Sequence, residues 1–119
     1  MAQQCVLVAE DEMIIGVDLC DTVEEAGYEV AGPFDTASSA IDALEQRTPD
    51  LAILDVRLDD GEVFPLAEKL MAANVPVIFH SGQVTPTEVA DRYPQALALA
   101  KPCPPNEIIE TMREALAAA

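Results

Sequence analysis

Cys5-Val6-Leu7-Val8-Ala9 is an unbroken apolar run of strand length, and it ends abruptly in Glu10-Asp11-Glu12. A run with no polar alternation reads as a strand buried on both faces, which is the habit of parallel sheets. The same form recurs three times. Leu51-Ala52-Ile53-Leu54 ends in Asp55, Val75-Pro76-Val77-Ile78-Phe79 ends in His80-Ser81, and Ala96-Leu97-Ala98-Leu99-Ala100 ends in Lys101-Pro102. The last is the weakest, because alanine is a poor strand former. Tyr28 to Pro33 reads as a further strand. Its Gly32-Pro33 end suits a sheet edge, where the missing proline N–H breaks no ladder.

Between these runs the apolar period becomes helical. Gly16, Leu19, Cys20 and Val23 share one face, with Gly27 as the stop. Ala37, Ala40, Ile41 and Leu44 share a second, which ends before Thr48-Pro49. Val63, Leu66, Ala67 and Leu70 form a third, and Pro65 confines its start to near Val63. Thr85 and Pro86 open a fourth helix that Pro94 keeps short, and Ile108, Ile109, Met112, Ala115 and Leu116 stripe a fifth. Five repeats of strand then helix predict one α/β domain over 1–119, a doubly wound parallel sheet with helices on both faces. Such sheets bind ligands outside the carboxyl ends of their strands, so the polar residues at those ends are the candidates.

Composition narrows the function. The 119 residues carry 22 acidic and 6 basic side chains, a net charge of −16. The basic residues are scattered, so neither a phosphate backbone nor an anionic membrane is a natural partner. Half the residues are hydrophobic and 4% are aromatic, which predicts an aliphatic core. Cys5, Cys20 and Cys103 are odd in number and lack C-x-x-C spacing, so reduced thiols in a cytoplasmic protein are expected. No apolar run approaches the ~20 residues that span a bilayer.

The strand ends place Glu10, Asp11 and Asp55 together with Ser81 and Lys101. Carboxylates at one edge repel unless a positive charge sits among them. A hard divalent cation does this, and Mg²⁺ suits one or two carboxylates with waters and a phosphate. Lys101 supplies a second positive charge within reach of a bound anion, and Ser81 a hydrogen bond to it. An aspartate in such a site can attack phosphorus and form an acyl phosphate, with metal and lysine offsetting charge on the phosphoryl oxygens. Each residue alone has a plainer reading. Glu10, Asp11 and Glu12 complement a helix start, Asp55 is a turn residue, Ser81 belongs to a loop dipeptide and Lys101 is a surface lysine. The specificity lies in their combination and order.

Val8-Ala9-Glu10-Asp11-Glu12, Ile53-Leu54-Asp55-Val56-Arg57, Ile78-Phe79-His80-Ser81-Gly82 and Ala100-Lys101-Pro102 together resemble the receiver domains of bacterial two-component response regulators, along nearly the whole chain. The resemblance implies a flavodoxin-like five-stranded sheet of order 2-1-3-4-5 with five helices, the fourth short. It implies Asp55 as phosphoacceptor, Ser81 as the switch hydroxyl, Lys101 as the conserved lysine, and a cis bond before Pro102. It further implies Mg²⁺ held by Asp11, Asp55 and the backbone carbonyl of Arg57, with Glu10 acting through water. A histidine kinase or histidine phosphotransfer protein would donate the phosphoryl group, and a downstream protein would read the state. Arg57 and Gln83, each two residues beyond a site residue, would tune dephosphorylation, with an ordinary rim role as the alternative.

Two positions depart from the family pattern. Ala98 stands where an aromatic residue usually couples to the switch hydroxyl, and Asp59 stands where a proline often follows the phosphoacceptor. With the short Ser81–Lys101 spacing, these features look like single-domain and atypical receivers. The expected output is therefore a protein–protein contact, with a phosphate sink or relay intermediate as the variant. The protein is expected not to be an enzyme beyond promoting its own phosphorylation and dephosphorylation. A Mg²⁺-dependent phosphatase of the haloacid-dehalogenase type would want a second aspartate at position 57, where Arg57 stands. His80, the only histidine, is expected at the rim with little role, and Cys103 as an apolar loop contact.

Overall fold

The computed structural model describes residues 3–82 and 91–118. Seven strands and four helices occur among them. In chain order they are β1 (Cys5–Ala9), α1 (Met13–Glu25), β2 (Glu29–Phe34), α2 (Ala37–Gln46), β3 (Leu51–Leu54), β4 (Arg57–Leu58), β5 (Gly61–Glu62), α3 (Phe64–Ala72), β6 (Val77–Ser81), β7 (Leu97–Ala100) and α4 (Pro105–Ala118).

The five longer strands make one sheet, β2-β1-β3-β6-β7, in which every neighbouring pair is parallel. Counted in chain order among themselves, that is the expected 2-1-3-4-5. β1, β3 and β6 are buried on both faces, as their patterns predict, whereas β7, at an edge of the sheet, is only partly buried; alternate residues feed two cores. Leu7, Ala9, Ala52, Leu54, Val77 and Phe79 pack with Ala37 and Ala40 of α2 and Leu66, Ala67 and Leu70 of α3. Val6, Val8, Leu51, Ile53 and Ile78 pack with Leu19, Cys20 and Val23 of α1 and Ile108, Met112 and Ala115 of α4. The helical faces read from the sequence are these faces, although Ile41, Leu44 and Leu116 are only partly buried and Ile109 lies outside both cores.

The edge strand β2 is half exposed. Gly32 there has φ +123°, and a Cβ on it would stand 2.4 Å from the Val8 carbonyl oxygen, so only glycine fits. The peptide bonds before Pro33 and Pro102 are cis. Pro65 lies in the first turn of α3, which starts just after Val63, as the sequence suggests.

One expectation needs adjustment. The fourth long strand runs Val77–Ser81 and so contains His80 and Ser81, because pairing with β7 continues to Ser81 opposite Ala100. Residues after Asp55 form a small antiparallel hairpin, β4–β5, for which the sequence carries no signal. Of the short fourth helix, Asp91 and Arg92 are helical, while Gln83, Thr85 and Pro86 lie outside the described residues. Among the described residues no helix is long and apolar enough to cross a membrane.

Candidate functional site

β1, β3, β6 and β7 end at the same edge of the sheet, and each delivers one part of a pocket. Glu10 follows β1, and its N–H donates to the Phe34 carbonyl at 2.8 Å. Asp55 follows β3, and its N–H donates to the Ala9 carbonyl at 2.8 Å. These two backbone bonds extend the sheet ladder by one residue and aim both carboxylates into the same space. Lys101 follows β7 and donates its N–H to the Ser81 carbonyl at 3.1 Å, which joins the last two strand ends.

The side chains converge. Lys101 Nζ donates to Glu10 Oε1 and, at 2.9 Å, to Asp55 Oδ2. Asp55 Oδ1 accepts the Arg57 N–H at 3.3 Å. Carboxylate oxygens of Glu10, Asp11 and Asp55 lie within 4.8 Å of one another. Glu10 is 1% exposed, Ser81 4% and Asp55 8%, while Asp11 sits nearer the surface. Glu10 Oε2 is buried without a hydrogen-bond partner among the described residues.

The electrostatics follow from burial. Burial, then the nearby Asp55 carboxylate, push Glu10 up to about 8, against the pull of Lys101. Burial also works upward on Asp55, but hydrogen bonds from Glu10 and Lys101 overcome it and leave that group below its ordinary value. Asp11 is raised, first by burial and then by Asp55. The pocket thus raises Glu10 and lowers Asp55, which favours a proton on Glu10 over one on Asp55. That is the protonation state a nucleophile needs.

The donor set fits a hard cation. Three carboxyl groups face one ammonium, so negative charge remains after Lys101 is counted. Residual negative charge is what a Mg²⁺ ion would relieve.

Of the residues singled out by sequence, Glu10, Asp11, Asp55, Ser81 and Lys101 come together at this edge. Arg57 lies beside it with an exposed side chain. Gln83 lies outside the described residues. His80 is not at the rim: it is 5% exposed and faces the α1–α4 side, because Ile78, two residues earlier in the strand, faces that side.

Sequence reasoning missed two features. Asp60 accepts the N–H groups of Ala37 (2.8 Å) and Ser38 (3.1 Å), so the hairpin after Asp55 caps the start of α2. A cap supplied from 23 residues away leaves no local pattern to read. The second feature is an aromatic cluster beside Ala98. Tyr93 stacks on Phe79 at 5.7 Å and lies 5.5 Å from Phe64, its hydroxyl donates to Glu68 at 2.9 Å, and Arg92 sits 3.9 Å over the Phe64 ring. Ala98 pairs with Phe79 across the strands and packs on this cluster.

A doubly wound sheet of this order, with an acidic pocket and a lysine at its carboxyl edge, defines a protein of the CheY-like flavodoxin fold. Residues 6–113 match the family model for the response regulator receiver domain, and the chain belongs to that family. Among relatives, it is 30% identical over 95 residues to the transcriptional regulatory protein PdtaR of Mycobacterium tuberculosis, covering 80% of this chain and 46% of that protein. The chain thus spans about half the length of that relative. It is 23% identical to the chemotaxis protein CheY of Thermotoga maritima, covering 92% of this chain and 94% of that one. Among solved structures, the PhyR receiver domain of Erythrobacter litoralis superposes with a TM-score of 0.86 at 30% identity, covering 98% and 92% of the two chains. A CheY-like receiver protein of Methanospirillum hungatei gives 0.87 at 25% identity, covering 98% and 96%.

Proposed function

We propose that this receiver domain accepts a phosphoryl group on Asp55 from a histidine kinase or histidine phosphotransfer protein, with Mg²⁺ in the acidic pocket, and that the phosphorylated form controls a protein–protein interaction in the cytoplasm. The observation that best supports the reading is Lys101 bridging Glu10 and Asp55.

Asp11, Asp55 and the Arg57 carbonyl would hold the ion, with Glu10 acting through water. The ion's chemistry there is to offset negative charge on the phosphoryl oxygens. The protein's own groups do the rest. An Asp55 oxygen attacks the phosphorus of a phosphohistidine, so an O–P bond forms as the P–N bond breaks and the imidazole leaves. Lys101, already 2.9 Å from Asp55 Oδ2, shifts its hydrogen bond to a phosphoryl oxygen. The Ser81 hydroxyl donates to another. Hydrolysis by water then returns the carboxylate and releases phosphate, a step that Arg57 and Gln83 are proposed to tune. Beyond promoting these two steps on itself, the protein turns over no substrate. A haloacid-dehalogenase-type phosphatase needs an acid at position 57, and an arginine cannot serve.

Phosphorylation adds about −1.5 to −2 charge at Asp55. With Ala98 in the place of the usual aromatic, we assign the readout to the Phe64–Phe79–Tyr93 cluster. The link is short: Val56, next to Asp55, accepts the Val63 N–H at 3.0 Å, and Phe64 follows. A phosphate-sink role would leave this cluster indifferent to phosphorylation. Transfer from autophosphorylated histidine kinases to the wild type but not to Asp55→Asn is the expected result. Transfer to both, or to neither with every donor, would reject the assignment.

A further inference from the structure

The segment after Asp55 is bonded at both of its ends. At the root, Asp55 Oδ1 accepts the Arg57 N–H at 3.3 Å, and the Val56 carbonyl accepts the Val63 N–H at 3.0 Å. Arg57 and Leu58 of β4 then pair antiparallel with Glu62 and Gly61 of β5. At the tip, the Asp59 N–H donates to the Asp35 carbonyl at 2.9 Å, and the Asp60 carboxylate accepts the N–H groups of Ala37 and Ser38. The tip thus grips the turn into α2 and the first two amides of that helix. Asp59 stands where the family often has proline, which has no N–H to offer Asp35. The helix also has a local cap, since the Thr36 hydroxyl accepts the Ser39 N–H at 3.0 Å.

Between root and tip the hairpin is held in the core at one point. Leu58 is buried, whereas Arg57, Asp59, Asp60 and Gly61 are exposed. Its strands rise about 3.3 Å per residue, so only a few residues of paired backbone separate the two ends. A ladder this short moves as a unit, and a displacement of the root reaches the tip. Phosphorylation acts at the root. It turns one Asp55 carboxylate oxygen into an ester oxygen and adds about −1.5 to −2 charge beside the Arg57 N–H. The Arg57 bond, at 3.3 Å, is longer than the usual ~2.9–3.0 Å, which leaves room for it to tighten or to pass to a phosphoryl oxygen.

We propose that the β4–β5 hairpin carries the phosphorylation state of Asp55 to the first turn of α2, which makes that turn a second phosphorylation-sensitive surface besides the aromatic cluster. The inference rests on the phosphoacceptor role proposed above for Asp55. The contact that differs between the two states is the Arg57 N–H, whose acceptor changes charge, and a differential contact is what coupling between two places requires. A hairpin that served only as a cap would hold α2 equally in both states.

NMR of the ¹⁵N-labelled full chain in Mg²⁺, before and after addition of acetyl phosphate, tests this, with intact mass counting the adduct in parallel. In the wild type, phosphorylation should shift the Ala37 and Ser38 amides and change their hydrogen exchange by about fivefold or more. Asp60→Ala releases those two amides while Thr36 still caps the helix, and Asp59→Pro deletes the bond to Asp35. Both variants should still take up one phosphoryl group. The shifts that it causes at Ala37 and Ser38 should be reduced in Asp59→Pro, and in Asp60→Ala should fall to those of Glu45 and Gln46 at the far end of α2. If one variant loses its dispersed spectrum, the other decides. An adduct on the wild type with no change at Ala37 and Ser38, or changes of equal size in the folded variants, would overturn this proposal alone. No adduct on the wild type would overturn the phosphoacceptor reading and this proposal with it.

Discussion

Replacing Glu10 with glutamine should remove most of the pH dependence that the acidic pocket imposes on stability. Glu10 is fully buried, and its folded value of about 8 lies above the ordinary 4.5. Between those values the folded protein holds a proton that the unfolded chain has lost. Stability therefore falls as pH rises, by about 1.4 kcal/mol per unit, and levels off above about pH 8. From about pH 5 to about pH 7.5 the Glu10 contribution is roughly 3 kcal/mol, or about 2 once sharing of the proton with Asp55 and Asp11 is allowed for. Glutamine keeps the shape and the Lys101 acceptor but cannot ionise. Urea unfolding in EDTA at both pH values gives the loss on raising pH for each protein, and the wild type should lose about 2 kcal/mol more than Glu10→Gln. The general repulsion of a −16 chain is nearly common to both and cancels. Equal losses would refute the assignment of the pocket proton to Glu10.

Lys101→Met removes the cation that Asp55 and Glu10 share. It should destabilise the metal-free protein by about 3 kcal/mol at neutral pH, checked by the same urea unfolding. Tyr93→Phe deletes the hydroxyl bond to Glu68 and should cost about 1 kcal/mol in chemical denaturation while leaving Asp55 phosphorylation intact. Asp60→Ala removes the acceptor shared by the first amides of α2, so hydrogen exchange at Ala37 and Ser38 should speed up more than at the β3 amides.

What the sequence made legible follows from the range of the forces involved. The doubly buried strands Cys5–Ala9 and Leu51–Leu54 have no polar alternation, and α1 buries the residues its period marks, so local pattern and tertiary environment agree. The pocket residues were legible because they sit at strand ends in a fixed order. Asp60 was not, since its cap bridges two elements distant in sequence. Nor was the burial of His80, because whether β6 stops at Phe79 or continues to Ser81 is decided by pairing with β7. Tyr93 is separated from Phe64 and Phe79 along the chain, and only the packed fold brings the three rings together.

The central claim is that Asp55 is the phosphoacceptor of a Mg²⁺-dependent site. Intact mass after incubation with acetyl phosphate, for wild type and Asp55→Ala, with Mg²⁺ and with EDTA, tests it most directly. A single phosphoryl adduct on the wild type, abolished by the substitution and by EDTA, is the result this account predicts. An adduct that survives in Asp55→Ala, or forms equally well in EDTA, would contradict it.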